Sequence, residues 1–186
     1  STSNLYNKIV WLIHNFYMEI RYAEKIEKES INKIILSAFS YNLGKILVQV
    51  VDEIIQKQNN TEIISLTAKI NDEIVGFISF SPILFTPEIN ITGYILAPLA
   101  VLPRHQNQGV GSELVNKGIN ILRKDGLDFL FVYGDPKYYS KFGFNQDDSK
   151  IFIPPYPLKY PNGWLGINFT QEKVYKSEIK FSCIDA

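Results

Sequence analysis

The sequence predicts a mixed α/β domain, a central and mostly antiparallel sheet with helices on both faces. Three observations predict it. Several segments carry apolar residues at the three-to-four spacing of a helix with one buried face. Between and after them lie short runs rich in β-branched and aromatic residues, divided by turn residues. A chain of 186 residues, 46% of them apolar, has the size of one domain around one core, and no repeat, linker or low-complexity stretch divides it.

Glu19 to Tyr22 alternates and reads as a short strand. Residues 27–41 place Ile31, Ile34, Ile35, Ala38 and Phe39 on one helical face. Leu43, Ile46, Leu47, Val50, Val51, Ile54 and Ile55 do the same in a second helix, which ends near Gln58-Asn59-Asn60 where the pattern breaks. Strands at about 62–70 and 74–81 flank Asn71-Asp72-Glu73, a hairpin-turn signal. A third strand runs from about Ile91 to Val101 and contains Pro98, which has no N–H for a ladder, so pairing is expected to break there. A polar stretch, Arg104 to Gly111, leads into a helix that runs to about Lys124 with Val110, Leu114, Val115, Gly118, Ile119 and Leu122 on one face, and Asp125-Gly126 ends it. Phe129 to Val132 reads as a short buried strand. Gly134-Asp135-Pro136 opens a short helix through Phe142, closed by Gly143. Strands near 151–153 and 165–169 are separated by a loop rich in Pro and Tyr, and Thr170 to Ala186 reads as strand and tail.

Composition narrows the function. Lys plus Arg equals Asp plus Glu at 19 each, so no global field draws the chain to nucleic acid or to an anionic membrane. No apolar stretch approaches the roughly 20 residues of a membrane-spanning helix. Cys183 is the only cysteine, which excludes an intrachain disulfide and makes a reducing cytoplasm the simplest home. One Cys and two His cannot build a Cys/His zinc site, and no metal is expected. The only methionine is Met18. Taken as the natural start, it makes residues 1–17 an extension upstream of a domain at 18–186. The other reading of 1–17 is an extra first helix, and the segment lacks the basic start and small-residue cleavage site of a signal peptide.

The feature that carries chemistry is a strand, a polar loop with Gln106-x-x-Gly109-x-Gly111, and a helix. Glycines allow close backbone approach, and the first-turn amides of a helix point outward with the positive end of its dipole, which suits a pyrophosphate. A tight turn into a helix explains the same glycines without a ligand. A P-loop would need Gly-Lys-Ser/Thr, but Ser112-Glu113 follow Gly111. A Rossmann fingerprint would need a third Gly where Leu114 stands, and there is no Gly-x-Ser-x-Gly of a serine hydrolase. His105 lies in the polar loop, and Arg104, Lys137 and Lys141 are loop or helix-end cations of the kind that is usually solvated. Cys183, in a strand-like segment, reads as buried or inert.

Leu99-Ala100-Val101, followed by Pro103 to Gly111, resembles the coenzyme A motif of the Gcn5-related N-acetyltransferases (GNAT). Gly134 to Phe144, Gly-Asp-Pro-Lys-Tyr-Tyr-Ser-Lys-Phe-Gly-Phe, is similar to that superfamily's Tyr-x-x-x-Gly-Phe segment, and its Gly-Asp-Pro start to a bacterial branch of it. The resemblance covers about residues 18–170. It implies the GNAT fold and direct transfer of an acetyl group from acetyl-CoA to a primary amine. Backbone groups of Leu99, Ala100 and Val101 would pair with the pantetheine arm as an added strand. Amides from Gln106 or Asn107 through Gln108, Gly109, Val110, Gly111 and Ser112 would hold the pyrophosphate. Tyr139 would protonate the departing thiolate, with Tyr138 turned about 100° away on the helix. Many relatives carry a glutamate base on or near the third strand, yet Ile91 to Val101 has no acidic residue. Glu88, Asp135 and a chain of waters stay open as bases. The acceptor, a small molecule or peptide amine, is not written in the chain, though the loop Phe152 to Trp164 is expected to wall its pocket. A homodimer, an O-acyltransferase and a non-catalytic coenzyme A-binding module are left open.

Overall fold

A computed structural model of the chain describes residues 4–10, 18–60, 62–86, 88–170 and 177–183. Twelve elements build the domain: β1 (Met18–Tyr22), α1 (Lys28–Ala38), α2 (Tyr41–Lys57), β2 (Ile64–Ile70), β3 (Glu73–Thr86), β4 (Gly93–Val101), α3 (Val110–Lys124), β5 (Phe129–Tyr133), α4 (Pro136–Tyr139), β6 (Phe152–Ile153), β7 (Trp164–Asn168) and β8 (Ile179–Cys183). The sheet runs β1-β2-β3-β4-β5-β7, and β8 joins the far half of β3 and carries β6 on its other edge. Among the described residues, only β4 with β5 and β6 with β8 are parallel.

Strand alternation assigns the two faces. Ile64, Leu66, Ala68 and Ile70 of β2 point into a core completed by Val110, Leu114, Val115, Ile119 and Leu122 of α3, with Phe142 and Phe144 beyond α4. These α3 residues and Gly118 are the apolar stripe read from the sequence. On the opposite face Phe77 and Ala100 lie under Ile31, Ile34 and Ile35 of α1 and Val51 and Ile55 of α2. A second cluster covers the rest of that face with Phe129, Phe131, Phe152, Trp164 and Phe181. Helices therefore cover both faces, as expected. Ser65 and Thr67 of β2 also turn to the α1/α2 face, where buried Thr67 donates to the Glu27 carboxylate and the Ser65 and Ser79 hydroxyls meet at 3.3 Å.

The boundaries carry three differences. The helix expected at 27–41 stops at Ala38, because Phe39 adopts an extended conformation before α2 begins. The β2–β3 turn is Asn71-Asp72, both left-handed with φ of 47° and 64°, the geometry that a two-residue hairpin needs. Strand β3 runs on past Pro82 to Thr86, since its last four residues pair with β8. Of the first seventeen residues, 4–10 are helical with Leu5, Tyr6, Ile9 and Val10 exposed, while 1–3 and 11–17 lie outside the described residues.

The ladder breaks where Pro98 stands. Pairing of β3 with β4 passes from Phe80↔Leu96 to Ile78↔Leu99, so Ala97 and Pro98 together face Ser79, and the Ala97–Pro98 peptide is cis. Packing against α3 is tight at the next layer. A Cβ on Gly118 would sit 2.1 Å from two carbons of the fully buried Phe80 ring. Gly118→Ala is expected to destabilise the fold by about 1–3 kcal/mol through overpacking, against a helix-propensity gain of about 1 kcal/mol. Urea denaturation tests this: Phe80→Leu in the same chain should recover part of the loss, and a Gly118→Ala midpoint at or above wild type would refute the clash.

Candidate active site

Strand β4 pairs with β5 only over Gly93–Leu96 and Phe129–Val132. Beyond the bulge, Leu99, Ala100 and Val101 stay paired with Ile78, Phe77 and Gly76 on one side. Their other edge meets no strand among the described residues, and Ala97 at the fork is exposed. The expected free strand edge is thus present, and it leads directly to the polar loop.

That loop begins with a 3₁₀ turn at Pro103–His105, then reaches α3 through Asn107 (φ 58°) and Gly109 (φ 89°). The Gln106 side chain donates to the Val101 carbonyl at 3.0 Å, and that of Gln108 to the Arg104 carbonyl at 2.9 Å. Both side chains therefore brace the loop. The Gln106 amide is bonded to the Pro103 carbonyl, and the first bond of α3 runs from the Glu113 amide to Gly109. Val110, Gly111 and Ser112 supply the first-turn donors that a helix cannot satisfy itself. The donor row thus begins at Asn107. Arg104 is engaged by Glu73 and holds that carboxyl below its ordinary range. His105 is mostly buried with Nε2 3.9 Å from the same carboxylate, and its buried Nδ1 has no hydrogen-bond partner among the described residues.

The facing wall is α4. Asp135 caps it by accepting the Lys137 amide at 2.9 Å, and Gly143 at φ 98° closes the turn beyond it. Its two tyrosines diverge. The Tyr139 ring packs edge-on to Phe144 at 5.6 Å and against Gly134, where a Cβ would come within 2.4 Å of it. Burial, and secondarily Tyr138, pushes the Tyr139 phenol well above its ordinary value. The Tyr138 hydroxyl instead reaches the first turn of α3, beside Ser112, and would lie 2.6 Å from a Cβ on Gly111. Burial raises its phenol too, partly offset by the neighbouring Ser112. Helical spacing separates the two rings correctly, but only the packed structure shows that Tyr138 faces the loop.

A cavity of about 490 Å³ lies beside the end of β5, between Tyr133, Gly134, Asp135 and Pro136 on one side and Lys159, Tyr160, Pro161, Asn162 and Gly163 on the other. The Tyr133 hydroxyl accepts the Tyr160 amide at 2.8 Å and ties the two sides together. Of the loop Phe152 to Trp164, expected to wall the acceptor pocket, five residues, Lys159 to Gly163, line this cavity. Phe152 and Trp164 do not, because both are buried in the core, where the Trp164 indole donates to the Ser149 and Phe152 carbonyls. Asp135 lines the cavity, whereas Glu88 is exposed beyond the opposite end of β4. Cys183, expected to be buried or inert, is exposed at the last residue of β8, which corrects the first of those alternatives.

Comparison with known proteins agrees with this geometry. Residues 28–144 match the acetyltransferase (GNAT) family. The uncharacterized N-acetyltransferase YjhQ of Escherichia coli (strain K12) is 32% identical over 148 residues, 78% of this chain and 79% of that protein. Among solved structures, a GNAT family acetyltransferase from Brucella melitensis in complex with acetyl-CoA superposes with a TM-score of 0.65 at 27% identity, covering 82% of this chain and 88% of that one. YhbS from Escherichia coli in complex with CoA shares the fold with a TM-score of 0.76 at 20% identity, covering 89% and 90%. The chain belongs to the acetyltransferase (GNAT) family and is an N-acetyltransferase.

Proposed function

We propose that the protein transfers an acetyl group from acetyl-CoA to a primary amine by direct attack on the thioester. The observation that carries this is the fork between β4 and β5, whose open edge ends at the donor-rich start of α3. The pantetheine arm pairs with the backbone of Leu99, Ala100 and Val101, extending the sheet by one strand. The pyrophosphate lies on the amides of Asn107, Gln108, Gly109, Val110, Gly111 and Ser112, with Gln106 bracing the loop beneath. The acceptor, a small-molecule or peptide amine, enters by the cavity at Tyr133 and Tyr160.

Tyr139 is the general acid in this reading. It lies just after the Gly134 turn that ends β5, and burial keeps its proton in place. A thiol's ordinary pKa is near 8.5, so a phenol raised above 10 looks too weak to give up its proton. The thiolate, however, is born in the same dehydrated fork, and desolvation raises both groups together.

Gly111→Glu sets a carboxylate against the phosphates and against the Tyr138 hydroxyl. It is expected to abolish the rise in melting temperature that coenzyme A gives the wild type. Unchanged coenzyme A affinity in a folded Gly111→Glu protein would overturn the phosphate site. Tyr139→Phe is expected to lower the turnover number by about 10²–10⁴-fold with acetyl-CoA affinity near wild type, and Tyr138→Phe to leave the turnover number far less affected. Because burial favours the neutral phenol, no alkaline loss of turnover from Tyr139 is expected below about pH 10. Nearly full turnover in Tyr139→Phe would mean that water protonates the thiolate. We further propose that the catalytic domain is residues 18–186. A chain beginning at Met18 should melt cooperatively and bind coenzyme A like the full chain; an insoluble product would place residues 1–17 in a core or interface.

A further inference from the structure

We propose that Lys141 and Tyr138 form the second wall of the coenzyme A phosphate site, Lys141 supplying the positive charge that the loop itself lacks. The inference rests on the reading of the phosphate site above and adds two residues to it. Coenzyme A carries a pyrophosphate and a further phosphate on its ribose. From Gln106 to Ser112 the loop has no cationic side chain, and a helix terminus offers only about half a unit of charge. The nearest cation in sequence, Arg104, is held by Glu73, so a strong ligand charge is otherwise met by amides alone.

Lys141 answers that need by position. Its ammonium sits 4.0 Å from the centre of the Tyr138 ring and 5.0 Å from that of Phe142. The Tyr138 hydroxyl is already in contact with Gly111 and Ser112. The ring therefore works as a shelf that carries a lysine from the 3₁₀ turn after α4 (Ser140–Phe142) to the mouth of α3. A cation over an aromatic face keeps its charge directed outward while its flexible stem is held, which lowers the ordering entropy lost on meeting an anion. Phenol burial keeps the Tyr138 proton on, so the hydroxyl donates to a phosphate oxygen alongside Ser112. Lys137, in α4 itself, has no ring beneath it among the described residues and serves as the control. The competing explanation is a lysine that merely covers two aromatic rings.

Binding of CoA and of phosphate-free S-acetylpantetheine to the full chain, at low and high salt, separates these. Lys141→Gln is expected to weaken CoA about 3- to 10-fold and to flatten its salt dependence, while weakening acetylpantetheine much less. Lys141→Arg should retain CoA affinity, and Lys137→Gln should match wild type. Tyr138→Leu, which removes shelf and hydroxyl, should lose at least as much as Lys141→Gln, and Tyr138→Phe less. Equal losses for both ligands, or a Lys141→Gln protein indistinguishable from Lys137→Gln, would overturn the proposal while leaving the loop as the phosphate site. Failure of the wild type to bind CoA would instead overturn the phosphate site, and this proposal with it.

Discussion

Pro98 cannot donate to a β ladder, and the architecture of the site depends on that single missing N–H. The β3–β4 register slips there, so Ala97 and Pro98 face Ser79 together. The slip bends β4 away from β5 just as β5 itself turns off at Gly134-Asp135-Pro136 into α4. Neither strand could leave the sheet alone without stranding its polar backbone. Here β4 keeps β3 on its other side, and β5 keeps β7 through Tyr133↔Trp164. The fork is thus held open by two ladders rather than by strain, and it leaves β4 backbone groups unpaired in the middle of the sheet.

Two helices close the fork's far end. The loop after β4 delivers the start of α3, and the turn after β5 delivers α4, so two chain segments distant in sequence meet across the opening. Tyr138 makes contact between them, its hydroxyl lying against Gly111 and beside Ser112. Tyr139, one residue on, is turned into the packing around Phe144 and Gly134. Adjacent residues of one type thereby acquire different surroundings: one hydroxyl at a row of amide donors, the other half-buried against Phe144 and Gly134 beside the end of β5. That division suits phosphate contact and proton transfer respectively, and a single tyrosine could not serve both positions.

Legibility of the sequence follows the range of the interactions. The stripe Val110 to Leu122 is readable because one helix buries one face, and the Asn71-Asp72 turn because its residues tolerate positive φ. Pro98 is readable because a missing donor is a property of the residue alone. The Phe152–Trp164 loop is only partly legible because Pro and Tyr look alike in a wall and in a core. The Trp164 indole and its two carbonyl partners settle the difference only in three dimensions. The reach of β3 to Thr86 depends on β8, roughly a hundred residues later, and no local pattern announces such a pairing. The place of Tyr138 is hidden for a related reason. Helical geometry shows that two neighbouring side chains diverge, but not which of them meets α3.

The missing carboxylate on β4 has a physical counterpart in the cavity. The proposed reaction needs a neutral amine, and an aqueous primary amine is mostly an ammonium at neutral pH, by analogy with lysine near 10.4. Moving an ammonium out of water disfavours its charge and lowers its pKa, and an aromatic face compensates only weakly. The entrance walls are Tyr133, Pro136, Tyr160 and Pro161, whose exposed surface is largely carbon. Asp135 lies among them, but one of its oxygens is already committed to the Lys137 amide as the cap of α4. Removing Asp135 would therefore disturb the helix that carries both tyrosines, which ties its place in the site to structure as much as to proton transfer. In the proposed reaction these carbon-rich walls would favour the neutral amine, while the exposed Asp135, Lys159 and Asn162 keep the cleft open to water, which would take up the protons that the amine gives up. On the proposed reading, the apolar Tyr-Pro surface would thus do part of the work of the carboxylate that β4 lacks, by shifting the amine toward its neutral form.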